Sequence, residues 1–105
     1  MPVEIDLSEA DGKYVVRVRG EVDLYTSPQL RNAVTKGVPA SGHTVAIDLS
    51  QVAYMDSSGV ATLVEGLRAA AQAQRSFCLV APSSPVMKVL QLSRLNSVFE
   101  IRETV

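Results

Sequence analysis

Asp56, Ser57, Ser58 and Gly59 place a carboxylate, two hydroxyls and a residue without a side chain at a point where the chain changes its period. Before them, Val45, Ala46, Ile47, Asp48 and Leu49 form a short, mostly apolar run rich in β-branched residues, which suits a buried strand. After them, Val60, Leu63, Val64, Leu67 and Ala71 recur at spacings of three and four, as one face of a helix running to about Gln74. The serines therefore stand where a helix begins. A hydroxyl there accepts a hydrogen bond from a free N–H of the first turn, so Ser57 or Ser58 is expected to cap the helix. The same end favours negative charge, and a phosphate fits it. Asp56 can serve as a capping or helix-dipole carboxylate, and Gly59 can let a partner or a neighbouring strand approach closely.

Little else in the chain offers chemistry. Ser57 lacks the G-x-S-x-G elbow that exposes a nucleophile, and the one histidine, His43, lies in a different, polar turn over residues 41–44. There is no G-x-x-x-x-G-K phosphate loop either, so no catalytic activity is expected. His43 has no cysteine or second histidine to complete a metal site and reads as a surface residue; neither metal nor cofactor is expected. The single Cys78 cannot form an internal disulfide, and inside the apolar run 77–81 it reads as a buried small hydrophobe. Asp23, in a polar loop with two acids over residues 21–26, is by itself an ordinary solvated loop acid.

The elements that position these residues follow from pattern. Val3, Ile5 and Leu7 alternate with Glu4 and Asp6, and Tyr14, Val16 and Val18 with Val15, Arg17 and Arg19, giving two strands. Asp11-Gly12 between them signals an antiparallel hairpin, and Gly20 ends the second strand. Ser27-Pro28 starts a helix with the serine as cap and proline at the first helical position; Leu30, Ala33 and Val34 form its apolar face and Gly37 stops it. A loop over 38–44 leads to the central strand. Residues 77–81 form a further strand, and Ser83-Ser84-Pro85 opens a short helix with Val86, Val89, Leu90 and Ser93 inward. Val98, Phe99 and Ile101 give a last, weak strand. The fold predicted is α/β: a small mixed sheet of four to five strands, an amino-terminal hairpin followed by parallel strands, with three to four helices packed on it. Loops after the carboxyl ends of parallel strands lie at one edge, where partners bind. If the two strands are neighbours, Asp23 and Ser57 share one surface.

Composition sets the class. The chain has 105 residues, 47% hydrophobic and 20% charged, which suits one small soluble domain over residues 1–105. Burial at this size is roughly 65% of the unfolded surface, enough for a core but not for a large internal site. A net charge of −1 argues against direct nucleic-acid binding. No apolar run approaches the ~20 residues of a membrane span and the amino terminus lacks a signal pattern, so a cytoplasmic protein without membrane insertion is expected.

On Met55-Asp56-Ser57-Ser58-Gly59 and Gly20-Glu21-Val22-Asp23 the chain resembles the STAS domains, and within them the anti-sigma factor antagonists of bacterial partner-switching systems. Residues 45–67 are similar to the family's core motif, and residues 20–23 to its upstream G-[ED]-x-D element. Where the family often reads Leu-Gly after the motif glycine, this chain has Val60 and Ala61. The resemblance implies that Ser57, the first serine of D-S-S-G, is the residue a partner kinase phosphorylates. It implies a partner surface of Asp23, Asp56, Ser57, Ser58 and Gly59, an anti-sigma factor that is itself a serine protein kinase, and a PP2C-type phosphatase that resets the switch. The alternative it leaves is a cytoplasmic STAS subunit of a lipid-transporting or other ABC complex. The serine of D-S-S-G, where several such subunits carry threonine or another residue, favours the antagonist.

Overall fold

The alternation of the first residues becomes strand β1 (Val3–Ala10), and Asp11-Gly12 turns it directly into β2 (Lys13–Val22). The computed structural model describes residues 2–40 and 42–105. Asp11 and Gly12 have φ of 55° and 78°, the left-handed backbone that lets a two-residue hairpin follow the twist of its strands. β2 does not end at Gly20. That residue sits at φ 103° beside a shift in the pairing of β2 with its next neighbour, and the strand continues to Val22. A glycine inside a strand marked an irregularity, not a terminus.

The chain then alternates through α1 (Ser27–Ala40), β3 (Thr44–Met55), α2 (Ser57–Gln72), β4 (Ser76–Val80), α3 (Ser84–Leu92) and β5 (Glu100–Arg102). The strands lie in the sheet in sequence order, β1 antiparallel to β2 and the rest parallel. This is the mixed α/β sheet expected, with five strands and three helices among the described residues. β3 has 12 residues and outruns the apolar run that announced it, because its pairing with β2 continues through Gln51, Val52, Tyr54 and Met55. β5 begins later than the sequence suggested. Phe99 is buried with its ring 6.3 Å from that of Phe77, whereas Val98 and Ile101 are exposed.

One core joins all three helices to one face of the sheet. Leu30 and Val34 of α1, Leu63 of α2, and Val86 and Leu90 of α3 meet Val16, Val18, Ile47, Leu49 and Leu79 there, each at most 2% exposed. A smaller buried cluster of Val15, Ala46, Cys78 and Val80 is drawn from the strands alone. Cys78 is fully buried and burial pushes its thiol up from the ordinary value, as an inert core cysteine requires. His43 is exposed; Ser41, expected in the same turn, lies outside the described residues.

Gly37 does not stop α1, which runs on to Ala40 with Pro39 in its last turn. The glycine is there for packing: a Cβ on it would lie 2.5 Å from Cδ1 of Tyr14. The inward face of α2 is also smaller than hydrophobicity alone suggested. Gly59, Val60, Thr62, Leu63, Gly66 and Ala70 are buried, Val64 and Leu67 only half so, and Ala71 is exposed. The face is turned toward its small residues because α1 and β4 come close, with Val34 Cγ1 2.7 Å and Phe77 Cε2 2.9 Å from where a Cβ of Gly66 would stand. In α3, Val86 and Leu90 point inward, Val89 is half-buried, and Ser93 is an exposed C-cap.

Two helix ends carried no glycine to announce them. After α2, Gln74 takes φ 60°, its N–H donating to Ala71 C=O at 3.1 Å while Arg75 N–H donates to Ala70 C=O at 2.8 Å. After α3, Arg94 takes φ 59°, with Arg94 N–H on Gln91 C=O at 3.1 Å and Leu95 N–H on Leu90 C=O at 2.8 Å. Both are Schellman ends, built with a side chain where glycine is usual. Left-handed backbone costs a non-glycine residue roughly 1–2 kcal/mol. Gln74→Gly and Arg94→Gly are each expected to raise unfolding free energy by about 0.5–1 kcal/mol in urea titrations, after the flexibility that glycine adds to the unfolded chain is subtracted.

Candidate functional site

The site is built where β2 and β3 end side by side. Val22 pairs with Met55, and the next N–H along β3, that of Asp56, donates to Val22 C=O at 3.1 Å. Asp23 and Asp56 therefore leave adjacent strands at the same edge of the sheet. From there β2 turns into α1 and β3 into α2.

Asp56, not Ser57 or Ser58, caps α2. It has the extended backbone of a cap (φ −106°, ψ −170°), and its Oδ1 accepts the Ser58 N–H at 2.9 Å. Its own C=O accepts the N–H groups of Gly59 and Val60 at 3.1 and 3.2 Å. The serines lie one and two residues inside the helix, past the position from which a hydroxyl turns back to the free N–H groups. Ser58 acts as a donor instead, its Oγ 2.5 Å from the same Oδ1 of Asp56. The Ser58 C=O receives the hydroxyl of buried Thr62 at 2.9 Å. Ser57 is exposed, and its hydroxyl has no hydrogen-bond partner among the described residues. One carboxylate thus engages the second hydroxyl and leaves the first to solvent.

Gly59 is buried. A Cβ there would stand 2.6 Å from Cγ of Met55 and 2.9 Å from Cγ1 of Val22, so the missing side chain lets the start of α2 settle on the ends of both strands. Its place in the motif is to seat the serines.

Asp23 is more than a solvated acid. Its Oδ1 accepts the Tyr25 N–H at 2.9 Å and the Thr26 N–H at 3.0 Å, and its own N–H donates to Thr26 Oγ1 at 2.9 Å, while the one Thr26 hydroxyl proton is shared between the Glu21 C=O at 2.8 Å and Asp23 Oδ1 at 3.2 Å. The Ser27 N–H closes on the Asp23 C=O at 2.8 Å. Asp23 and Thr26 thus tie the turn into α1, where the sequence had pointed to Ser27; the helix starts at Ser27 itself, with Pro28 second. Desolvation raises the Asp23 carboxyl, but the hydrogen bonds from Thr26 and Tyr25 outweigh it and hold it below the ordinary aspartate value. The loop is also less polar than its acids suggested. Leu24 and Tyr25 are 70% and 87% exposed. Their signal in the sequence was two large apolar residues inside a turn.

Between α1 and α2 lies a groove of about 190 Å³, lined by Val34, Thr62, Gly66 and the Arg31–Glu65 ion pair, whose Nε and Oε2 are 2.9 Å apart. It is smaller than the ~300 Å³ at which small-molecule sites begin. Among the described residues, no group of His, Cys, Asp and Glu is placed to hold a metal ion and no helix is long and apolar enough to cross a membrane.

A family model for the STAS domain matches residues 4–105, the sheet, the helices and both loops included. The chain belongs to the STAS domain family. Among STAS relatives, an anti-sigma-B factor antagonist of Listeria monocytogenes is 29% identical over 103 residues, 97% of this chain and 90% of that one. The crystal structure of an anti-sigma factor antagonist from Mycobacterium paratuberculosis has a TM-score of 0.88 at 28% identity, over 98% of this chain and 87% of the other. The anti-sigma factor antagonist SpoIIAA in its unphosphorylated form has a TM-score of 0.78 at 25% identity, over 93% and 87% of the two chains. Its fold, a hairpin and parallel strands under helices on one face, is that of this STAS domain.

Asp56→Ala removes the cap and is expected to cost about 1 kcal/mol in urea titrations, whereas Ser58→Ala, which keeps it, costs less than half as much. Asp23 has a folded pKa below its unfolded one, so the stability it adds is present above the ordinary aspartate value and is lost as pH falls through the lower folded value. Asp23→Asn keeps an acceptor oxygen but cannot titrate. Thermal melts across the acid range are expected to show a shallower acid limb for that variant.

Proposed function

We propose that this STAS domain is a cytoplasmic anti-sigma factor antagonist in a partner-switching system. In that reading the edge formed by the Asp23 turn and the start of α2 docks onto an anti-sigma factor that is also a serine kinase, and so releases a sigma factor. Phosphate transferred to Ser57 adds about −1.5 to −2 charge at this edge, beside the Asp56 carboxylate, and the contact breaks. A PP2C-type phosphatase restores it. Asp23, Asp56 and Ser58 shape the surface, and Gly59 supports it from beneath.

The observation that carries the proposal is the asymmetry of the serines. Ser57 is exposed with its hydroxyl unengaged, while the Ser58 hydroxyl is spent on Asp56. A kinase needs a hydroxyl that is reachable and free to give up its proton, and at this edge Ser57 meets both conditions. The relatives support the role: the Listeria monocytogenes protein is an anti-sigma-B factor antagonist, and SpoIIAA has been solved in phosphorylated as well as unphosphorylated form.

The switch is expected to act through charge and not through unfolding, because the amino-terminal end of α2 tolerates an anion. Phosphate incorporation with the cognate kinase, followed by pull-down, tests it. Wild type and Ser58→Ala are expected to take up phosphate and Ser57→Ala none. Ser57→Ala then stays bound when ATP is added, and Ser57→Asp binds about tenfold or more weakly, the equivalent of 1.4 kcal/mol. Uptake by Ser57→Ala but not by Ser58→Ala reverses the assignment, and uptake by none of the proteins favours the transport-subunit alternative.

A further inference from the structure

Leu24 and Tyr25 form the tip of the turn between β2 and α1. They are 70% and 87% exposed, between buried Val22 on one side and buried Thr26 and Ser27 on the other. Exposed apolar side chains of this size are ordinary when scattered singly, but here two are adjacent on a loop. The loop holds them out. Asp23 Oδ1 takes the N–H of Tyr25 and of Thr26, and the Asp23 C=O takes the N–H of Ser27, so the backbone is pinned on both sides of the pair. A pinned loop has little conformational freedom left to lose on binding, so the area of a leucine and a tyrosine is available for affinity. Tyrosine is among the residue types that most often dominate the energetics of protein contacts, and the leucine beside it adds apolar area.

Their position says which contact. They follow Asp23 directly, and the Val22–Asp56 hydrogen bond sets that turn beside the start of α2. An apolar pair and an exposed serine thus share one edge, next to two aspartates. We propose that Leu24 and Tyr25 are the apolar anchor by which the kinase that acts on Ser57 grips this edge, seated in an apolar pocket whose rim carries cations complementary to Asp23 and Asp56. The inference rests on the phosphoswitch reading and adds to it the residues that supply affinity. The anchor holds the domain, and the charge state of Ser57 decides whether it stays held. Charged neighbours at a rim govern encounter rate and selectivity more than strength, which leaves the strength to the desolvated pair.

The experiment is calorimetric titration of the purified kinase of the same cell, without ATP, with wild type, Leu24→Ala, Tyr25→Ala and the double variant. Leu92→Ala is the control: Leu92 is 80% exposed, and α3 must run back against the parallel strands it connects, which puts its last turn at the opposite edge. The double variant is expected to bind at least about tenfold more weakly, with each single variant between it and wild type, and Leu92→Ala within about twofold of wild type. Melting temperatures are expected to stay together, since neither side chain is buried. Double-variant binding within about twofold of wild type, while Ser57→Asp binds poorly, overturns the anchor and leaves the phosphoswitch standing. Equal binding by Ser57→Asp and wild type, with no phosphate on Ser57, overturns the phosphoswitch and the anchor with it. A concentration-dependent wild-type dimer in sedimentation that the double variant abolishes makes a second copy the occupant, and also overturns the proposal.

Discussion

The parallel pairing of β2 with β3 is the constraint on which the rest of this molecule depends. It runs from Lys13 opposite Thr44 to Val22 opposite Met55 and ends in the hydrogen bond from Asp56 N–H to Val22 C=O. A one-residue slip in this register would turn Met55 away from the core and carry Asp56 out of line with Val22. Gly59 reinforces the alignment from the helix side, because α2 rests directly on the side chains of Met55 and Val22. Two loops distant in sequence thereby become a single edge, and that edge has a fixed geometry.

Within that edge, one carboxylate makes two chemically similar residues different. Asp56 Oδ1 receives both the N–H and the hydroxyl of Ser58, and the helix rotation of about 100° per residue then turns Ser57 outward. The capping bond stabilises α2 by about 1 kcal/mol, a modest amount, yet the same carboxylate also engages the Ser58 hydroxyl and leaves that of Ser57 exposed. Asp23 has a parallel role in the neighbouring turn. Its carboxylate organises the loop that bears Leu24 and Tyr25, so stability and presentation of the surface come from the same hydrogen bonds.

Most of the architecture was legible because period and turn chemistry agreed. The Asp11-Gly12 hairpin, the change of period at Asp56 and the apolar stripes of Leu30, Ala33 and Val34 or of Val86 and Leu90 all led to the observed elements. The misread positions share a cause: glycine and serine were given their commonest local meaning when tertiary contacts decided otherwise. Gly20 kept its strand going through an irregularity, Gly37 made room for Tyr14, and helix ends formed at Gln74 and Arg94 without glycine. At the site, the residues themselves were legible and their division of labour was not. A capping aspartate and two serines form a pattern that any of the three can satisfy, and it takes the backbone angles of residue 56 and its hydrogen bond from the Ser58 N–H to identify the cap. Leu24 and Tyr25 were hidden because their acidic neighbours made the loop read as polar.

The switch proposed for this domain turns on one hydroxyl, that of Ser57. Fragment mass spectrometry of the protein isolated from its own cells, sampled in growth and under stress, tests it most directly. A single phosphate is expected, on Ser57, with an occupancy that changes between conditions. A phosphate on Ser58 with Ser57 unmodified, or no phosphate in any condition, would contradict it.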